Sequence, residues 1–74
     1  MKVFDIEKDG LYNKNDKSLV GRVAFIFDGC IVSGWYLDNG NWEANSDVGR
    51  NGQFHKDSVK KYIIFDNCFL KNLP

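Results

Sequence analysis

Between positions 22 and 44 the chain reads RVAFIFDGCIVSGWYLDNGNWEA, a run of strand-favouring residues interrupted at two places. Asp28-Gly29 and Asn39-Gly40 each suit a two-residue type I′ turn, which needs positive φ at both central positions. The pattern predicts two consecutive hairpins forming a three-stranded antiparallel meander, and the turns predict its register. A two-residue loop at Asp28-Gly29 sets Phe27 opposite Cys30, Ile26 opposite Ile31, Phe25 opposite Val32 and Ala24 opposite Ser33. Val23 then meets Gly34, and Arg22 meets Trp35. Directly opposed residues share a face. One face therefore carries Val23, Phe25, Phe27, Cys30, Val32 and Gly34, and its apolar length marks it as the core side.

A two-residue loop at Asn39-Gly40 extends this register. It sets Leu37 opposite Trp42, Tyr36 opposite Glu43 and Trp35 opposite Ala44. Trp35, Leu37, Trp42 and Ala44 then gather on the face that should meet solvent. Two explanations present themselves. A small sheet coils strongly, Gly34 permits a bend, and at least one tryptophan is thereby taken into the core. Alternatively the patch is exposed and binds something. The first is favoured, because so short a chain has few large residues to leave outside its core.

The rest of the chain is plainer. Residues 2–7 alternate, with Val3 and Asp5 on one side and Phe4 and Ile6 on the other. Asp9-Gly10 offers a turn into Leu11-Tyr12, a short first hairpin. Residues 13–18 are a polar loop, and residues 45–58 a long loop with one anchoring aromatic, Phe54. Residues 59–66, VKKYIIFD, form a strong strand, after which Asp66-Asn67 turns into a last short strand, CFLK. No window sustains helical periodicity. The best helical candidate is a single turn within 56–62, capped by Ser58. The expected fold is mainly β, one domain over 1–74: a small antiparallel meander, as a strongly coiled sheet or partly open barrel of five or six strands with at most one short helix.

Composition adds limits. At 74 residues, six Phe, three Tyr and two Trp help a small core close, and a homo-oligomer stays open as a supplement at this size. Ten basic and ten acidic residues balance, so there is no generalised field for nucleic acid or an anionic membrane. No apolar run approaches the ~20 residues of a membrane span. The N-terminal charges of MKVFDIEKDG stand where a signal peptide would need its apolar region, which points to a cytoplasmic chain. In a reducing compartment Cys30 and Cys68 are expected as small buried thiols rather than a disulfide.

Candidate chemistry is thin. His55 is the only histidine, and nothing in the sequence joins it to Cys30 or Cys68 as a nucleophile pair or zinc site. Gly49-Arg50-Asn51-Gly52 has the spacing of a nucleic-acid clamp but reads better as a turn, since no helices are predicted to present it. Asp38, Glu43 and Asp47 fall on different elements or faces. The reading is a non-enzyme without metal or cofactor. The group with most potential is Arg22, Trp35, Trp42, Arg50 and His55, with Leu37 beside the tryptophans. Aromatic planes and cationic donors on one edge can stack a base and hold a phosphate, the alternative function of nucleotide or single-stranded nucleic-acid binding. They equally form a protein-binding hot spot, and the neutral charge favours protein.

The stretch IVSGWYLDNGNWEANSDVGRNGQF, continuing to VKKYIIF, resembles short β-rich accessory proteins of phages and prophages. The matching features are Gly34-Trp35, Trp42-Glu43, Val48-Gly49 and Tyr62-Ile63-Ile64-Phe65, covering the C-terminal half. The resemblance implies a protein that acts stoichiometrically in the host cytosol by blocking a bacterial defence complex, such as a CRISPR effector or a restriction enzyme. Many such inhibitors are strongly acidic and this chain is neutral, so the implied mechanism is steric blocking of a host protein rather than DNA mimicry.

Overall fold

A computed structural model describes residues 1–45 and 52–66. Six strands form one antiparallel sheet: β1 (Lys2–Asp5), β2 (Val23–Phe27), β3 (Cys30–Tyr36), β4 (Trp42–Ala44), β5 (Gln53–Phe54) and β6 (Val59–Ile64). The spatial order is β1-β6-β2-β3-β4-β5, and the sheet is not closed into a barrel. Strands β2 to β5 are a true meander. Strand β6 departs from it, returning to lie between β1 and β2.

The first central hairpin has the expected form. Asp28 and Gly29 both take positive φ, 51° and 77°, and the pairs run from Phe27 with Cys30 to Ala24 with Ser33. The second hairpin does not. Gly40 alone has positive φ, 90°, while Leu37 N–H donates to the Asn41 carbonyl at 2.7 Å and Gly40 N–H to the Leu37 carbonyl at 2.9 Å. The loop is therefore three residues, Asp38, Asn39 and Gly40, with a glycine bulge at its end. Its ladder pairs Tyr36 with Trp42, Trp35 with Glu43 and Gly34 with Ala44.

That single residue overturns the expected face assignment. A slip of one position exchanges the two faces of a strand. Trp42 joins Gly34, Tyr36 and Ala44 on the core side, and Trp35 is left outside with Glu43. Trp42 is 1 % exposed, and its ring meets Phe25 at 5.1 Å, Tyr36 at 5.6 Å and Tyr62 at 5.9 Å. Burying an aromatic of ~150–250 Å² stabilises by up to roughly 4–6 kcal/mol. A local preference between two turn types is small beside that.

The Trp42–Tyr62 contact also shows the sheet's curvature. Strands β4 and β6 are separated by β2 and β3, so their rings meet only because the sheet coils over its own core. Phe54 of β5 closes the far side against Phe25 and Phe27, the anchoring role expected of it. Gly34 belongs to this geometry: a Cβ there would stand 2.1 Å from the Glu43 carbonyl oxygen and 2.9 Å from the Phe25 ring. Strand β6 carries a bulge where its pairing passes from Ile26–Lys61 to Phe27–Val59. The bulge skips Lys60 and brings Val59, 2 % exposed, into the core in its place.

The chain start differs from the expected hairpin. Residues 6–9 form one turn of helix, α1 (Ile6–Asp9). Asp5 caps it by accepting from Glu7 N–H at 3.0 Å and Lys8 N–H at 3.4 Å, and Gly10 ends it at φ 75° with its N–H on the Ile6 carbonyl. Strand β1 instead pairs with β6, Val3 with Ile63 and Phe4 with Tyr62. The facial split holds: Phe4 stacks on Tyr62 at 5.1 Å, while Val3 is exposed. Short 3-10 turns at Lys17–Leu19 and Lys56–Ser58 complete the described elements. His55, not Ser58, caps the second, its Nδ1 accepting from Asp57 N–H at 3.1 Å. The expected CFLK strand lies outside the described residues.

Candidate functional site

Beyond the start of β2, strand β3 continues without its neighbour, and the polar loop returns to fill the space. Tyr12 is the hinge of this packing. Its ring lies edge-on to Tyr36 at 4.8 Å, and its carbonyl accepts from the Tyr36 hydroxyl at 2.5 Å. Burial pushes the Tyr12 phenol up to about 12, against the pull of the Tyr36 main-chain N–H. Tyr62 is raised for the same reason, and its hydroxyl donates to the Gly10 carbonyl at 3.0 Å. Lys14 reaches back over the Tyr36 ring at 5.2 Å and pairs with Asp38 at 2.5 Å, holding that carboxyl below its ordinary range. Asp16 is lowered too, by the Ser18 hydroxyl and N–H that donate to it.

The loop does not seal the end of the sheet. A groove of about 240 Å³ remains between Leu19, Val20 and Gly21 on one side and Gly34, Trp35 and Tyr36 on the other. Its walls are mostly apolar, with Lys14 and Asp16 at the rim. Asn45 also lines it while only 8 % exposed. The Asn45 Nδ2 donates to the Ser33 hydroxyl, and its main-chain N–H to the Ser33 carbonyl. Among the described residues no buried side-chain nitrogen or oxygen lacks a hydrogen-bond partner.

The expected site residues separate in space. Trp35, 39 % exposed, stands at the lip of the groove on the outer face of β3. Ile31 is 58 % exposed on the same face, and Leu37 is half-buried. Trp42 is a core residue, a correction to its expected place beside Trp35. Arg22 is structural as well. Its Nε donates to the Phe65 carbonyl at 3.0 Å, with Nη1 and Nη2 turned to the carbonyls of Ser18 and Asp66. It clamps the ends of β2 and β6 rather than offering a free cation. His55 is exposed and engaged as a cap, and Arg50 lies outside the described residues.

Cys30 corrects the expectation of a buried thiol: it is exposed beside the first turn. Cys68 lies outside the described residues. Among the described residues no His, Cys, Asp and Glu side chains gather as a metal site, and no helix is long and apolar enough to cross a membrane.

Sequence reasoning reached Trp35 but missed the groove. The sequence pattern places Tyr12 in a hairpin and Asn45 in a loop, and gives Leu19, Val20 and Gly21 no element. The available signal was the apolar pair Leu19-Val20 ending a polar loop, followed by a glycine that takes φ 74°. No protein-family model, curated protein or solved structure matches this chain.

Proposed function

We propose that this chain is a noncatalytic protein-binding domain that acts by covering a surface of its partner. The observation that carries this reading is Trp35, a large aromatic left partly exposed at the lip of an apolar groove in a protein whose other tryptophan is buried. Tryptophan is enriched among the residues that anchor protein interfaces. Ile31 and Leu37 extend the apolar surface along β3. The resemblance to phage accessory proteins supports the narrower form of the proposal, a phage-encoded, anti-CRISPR-like inhibitor that blocks a bacterial defence complex sterically. The balanced charge fits a protein partner better than DNA.

The nucleic-acid alternative loses support from the geometry. Of its intended stacking rings only Trp35 is accessible, and the Arg22 guanidinium is held by main-chain carbonyls.

The test is capture of a partner from host lysate by the immobilised protein. Wild type is expected to retain one protein at near-equal ratio, and a folded Trp35→Ala variant to lose it. Equal capture by both would sink the reading. Oligonucleotide titration followed by tryptophan fluorescence tests the alternative, which requires quenching that weakens with added salt.

A further inference from the structure

We infer that the free edge of β1 is a self-pairing site for a second copy of this chain, and that the Asp9 carboxylate keeps it shut. An open sheet has two edges, and each presents unpaired main-chain groups to an approaching strand. Here the edges are β5, two residues long, and β1, four residues long. Two strands separate β1 from β3, so the edge lies apart from Trp35 and its groove and acts whether or not Trp35 binds a partner.

The direction of each main-chain group in β1 follows from its neighbours. Phe65 N–H donates to the Arg22 carbonyl at 2.7 Å, towards β2. Groups alternate along a strand, so Ile63 and Lys61 also turn to β2, while Ile64 and Tyr62 turn to β1. Their partners Lys2 and Phe4 therefore bond to β6, and Val3 and Asp5 point outward. The Asp5 N–H bears this out, donating to the Asp9 carboxylate at 3.0 Å. Val3 has no such cover among the described residues, and it is 52 % exposed.

A second copy offers the same outward Val3. Two copies related by a two-fold axis at this position form a hydrogen-bonded antiparallel pair, each Val3 exchanging N–H and carbonyl with the other. Lys2 then stands opposite Phe4 of the second copy on the core side. That repeats the approach of Lys2 Nζ to the Phe4 ring, 5.1 Å within one chain. The next bonds in this register run from each Asp5 N–H to the Met1 carbonyl across the axis, and the Asp9 carboxylate fills that place. With Asp9 present the contact stops at the two Val3 bonds, too few to offset the freedom that two molecules lose on joining. With Asp9 removed, two Asp5 bonds are added to those two.

Sedimentation velocity and amide hydrogen exchange on the full chain test this. Wild type is expected to stay monomeric at high micromolar concentration, with the Asp5 N–H protected and the Val3 N–H exchanging freely. Asp9→Ala should associate at least about tenfold more tightly, the share of two hydrogen bonds, with new protection at Val3. Adding Val3→Pro removes the outward N–H without touching a bond to β6, and should restore the monomer. A folded Asp9→Ala variant that stays monomeric overturns the site, as does association that Val3→Pro leaves unchanged. Wild type that pairs through Val3 as strongly as the variant overturns the role of Asp9. Where Asp9→Ala fails to fold, exchange in dilute wild type decides: a protected Val3 N–H or an unprotected Asp5 N–H overturns the inference.

Discussion

The two central hairpins share strand β3, and each turns at a polar residue followed by glycine, yet they close differently. Asp28-Gly29 makes a two-residue loop with both φ angles positive; Asp38-Asn39-Gly40 makes a three-residue loop in which only the glycine has positive φ. The first keeps the register that its turn implies. The second is displaced by one residue, and the displacement exchanges Trp42 for Glu43 on the core side. In the first hairpin turn chemistry and the apolar pattern ask for the same register, and the turn is kept. Where one register buries a tryptophan against Phe25, Tyr36 and Tyr62, packing decides.

The strongest way to break this contrast is to remove the ring that decides it. Trp42→Ala should cost about 3–5 kcal/mol, read by urea denaturation. Against a stability of roughly 0.05–0.15 kcal/mol per residue, that leaves much of the population unfolded. A loss below about 1 kcal/mol would show that Trp42 does not set the register.

Gly34→Ala comes next. The added Cβ has no room before the Glu43 carbonyl, and β3 must move away from β4. A loss of about 2–3 kcal/mol is expected, seen as a lowered melting temperature. The same change at the first hairpin's glycine, Gly29→Ala, meets open space and carries only the left-handed backbone cost of about 1–2 kcal/mol.

Alkaline pH probes the packing that joins Tyr12 to the second hairpin. Its phenol is raised from 10.0 to about 12 by burial, so the folded protein holds this proton more tightly than the unfolded chain. The resulting stability is fully present below pH 10 and is lost as pH rises towards 12. Denaturation midpoints across that window should fall in wild type and fall less in Tyr12→Phe.

The smallest effects are expected outside the core. Trp35→Ala should change stability by about 1 kcal/mol or less, since the ring is partly in solvent already. Deleting Asp38 leaves Asn39-Gly40 as a two-residue loop between the same partners, Leu37 and Asn41. Turn and packing then ask for the same register, so the deletion variant should keep Trp42 buried, with blue-shifted emission and stability within about 1 kcal/mol of wild type. Red-shifted emission from both tryptophans would show that the third loop residue is itself needed for this register.

These cases mark how far the sequence was legible. All four observed β2–β3 pairs followed from one dipeptide, because Asp28-Gly29 fits one short loop and alternating apolar residues flank it. Asn39-Gly40 fits two loop lengths, and local sequence holds nothing to separate them; the choice lies in contacts with Phe25 and Tyr62. The faces of β1 were readable from Phe4 and Val3, but its partner was not, since Lys2 pairs with Ile64 across most of the chain. Asp5 and Gly10 spelled a capped helical turn, and the strand-like alternation before them concealed it. At the site, Trp35 was visible as an aromatic on the outer face. The groove was not, because it arises where a loop with no regular pattern meets a strand end.

The position of β6 has a consequence for how the molecule is made. Residues 59–64 supply hydrogen-bond partners to both β1 and β2, so the sheet stays in two pieces until they have been synthesised. During translation the aromatic faces of the central hairpins and of β1 have nothing to join them, and contacts of high sequence separation form last. A stalled or truncated nascent chain lacking β6 is then an exposed, sticky intermediate, and its fate depends on chaperones and proteases more than on the strength of the finished fold.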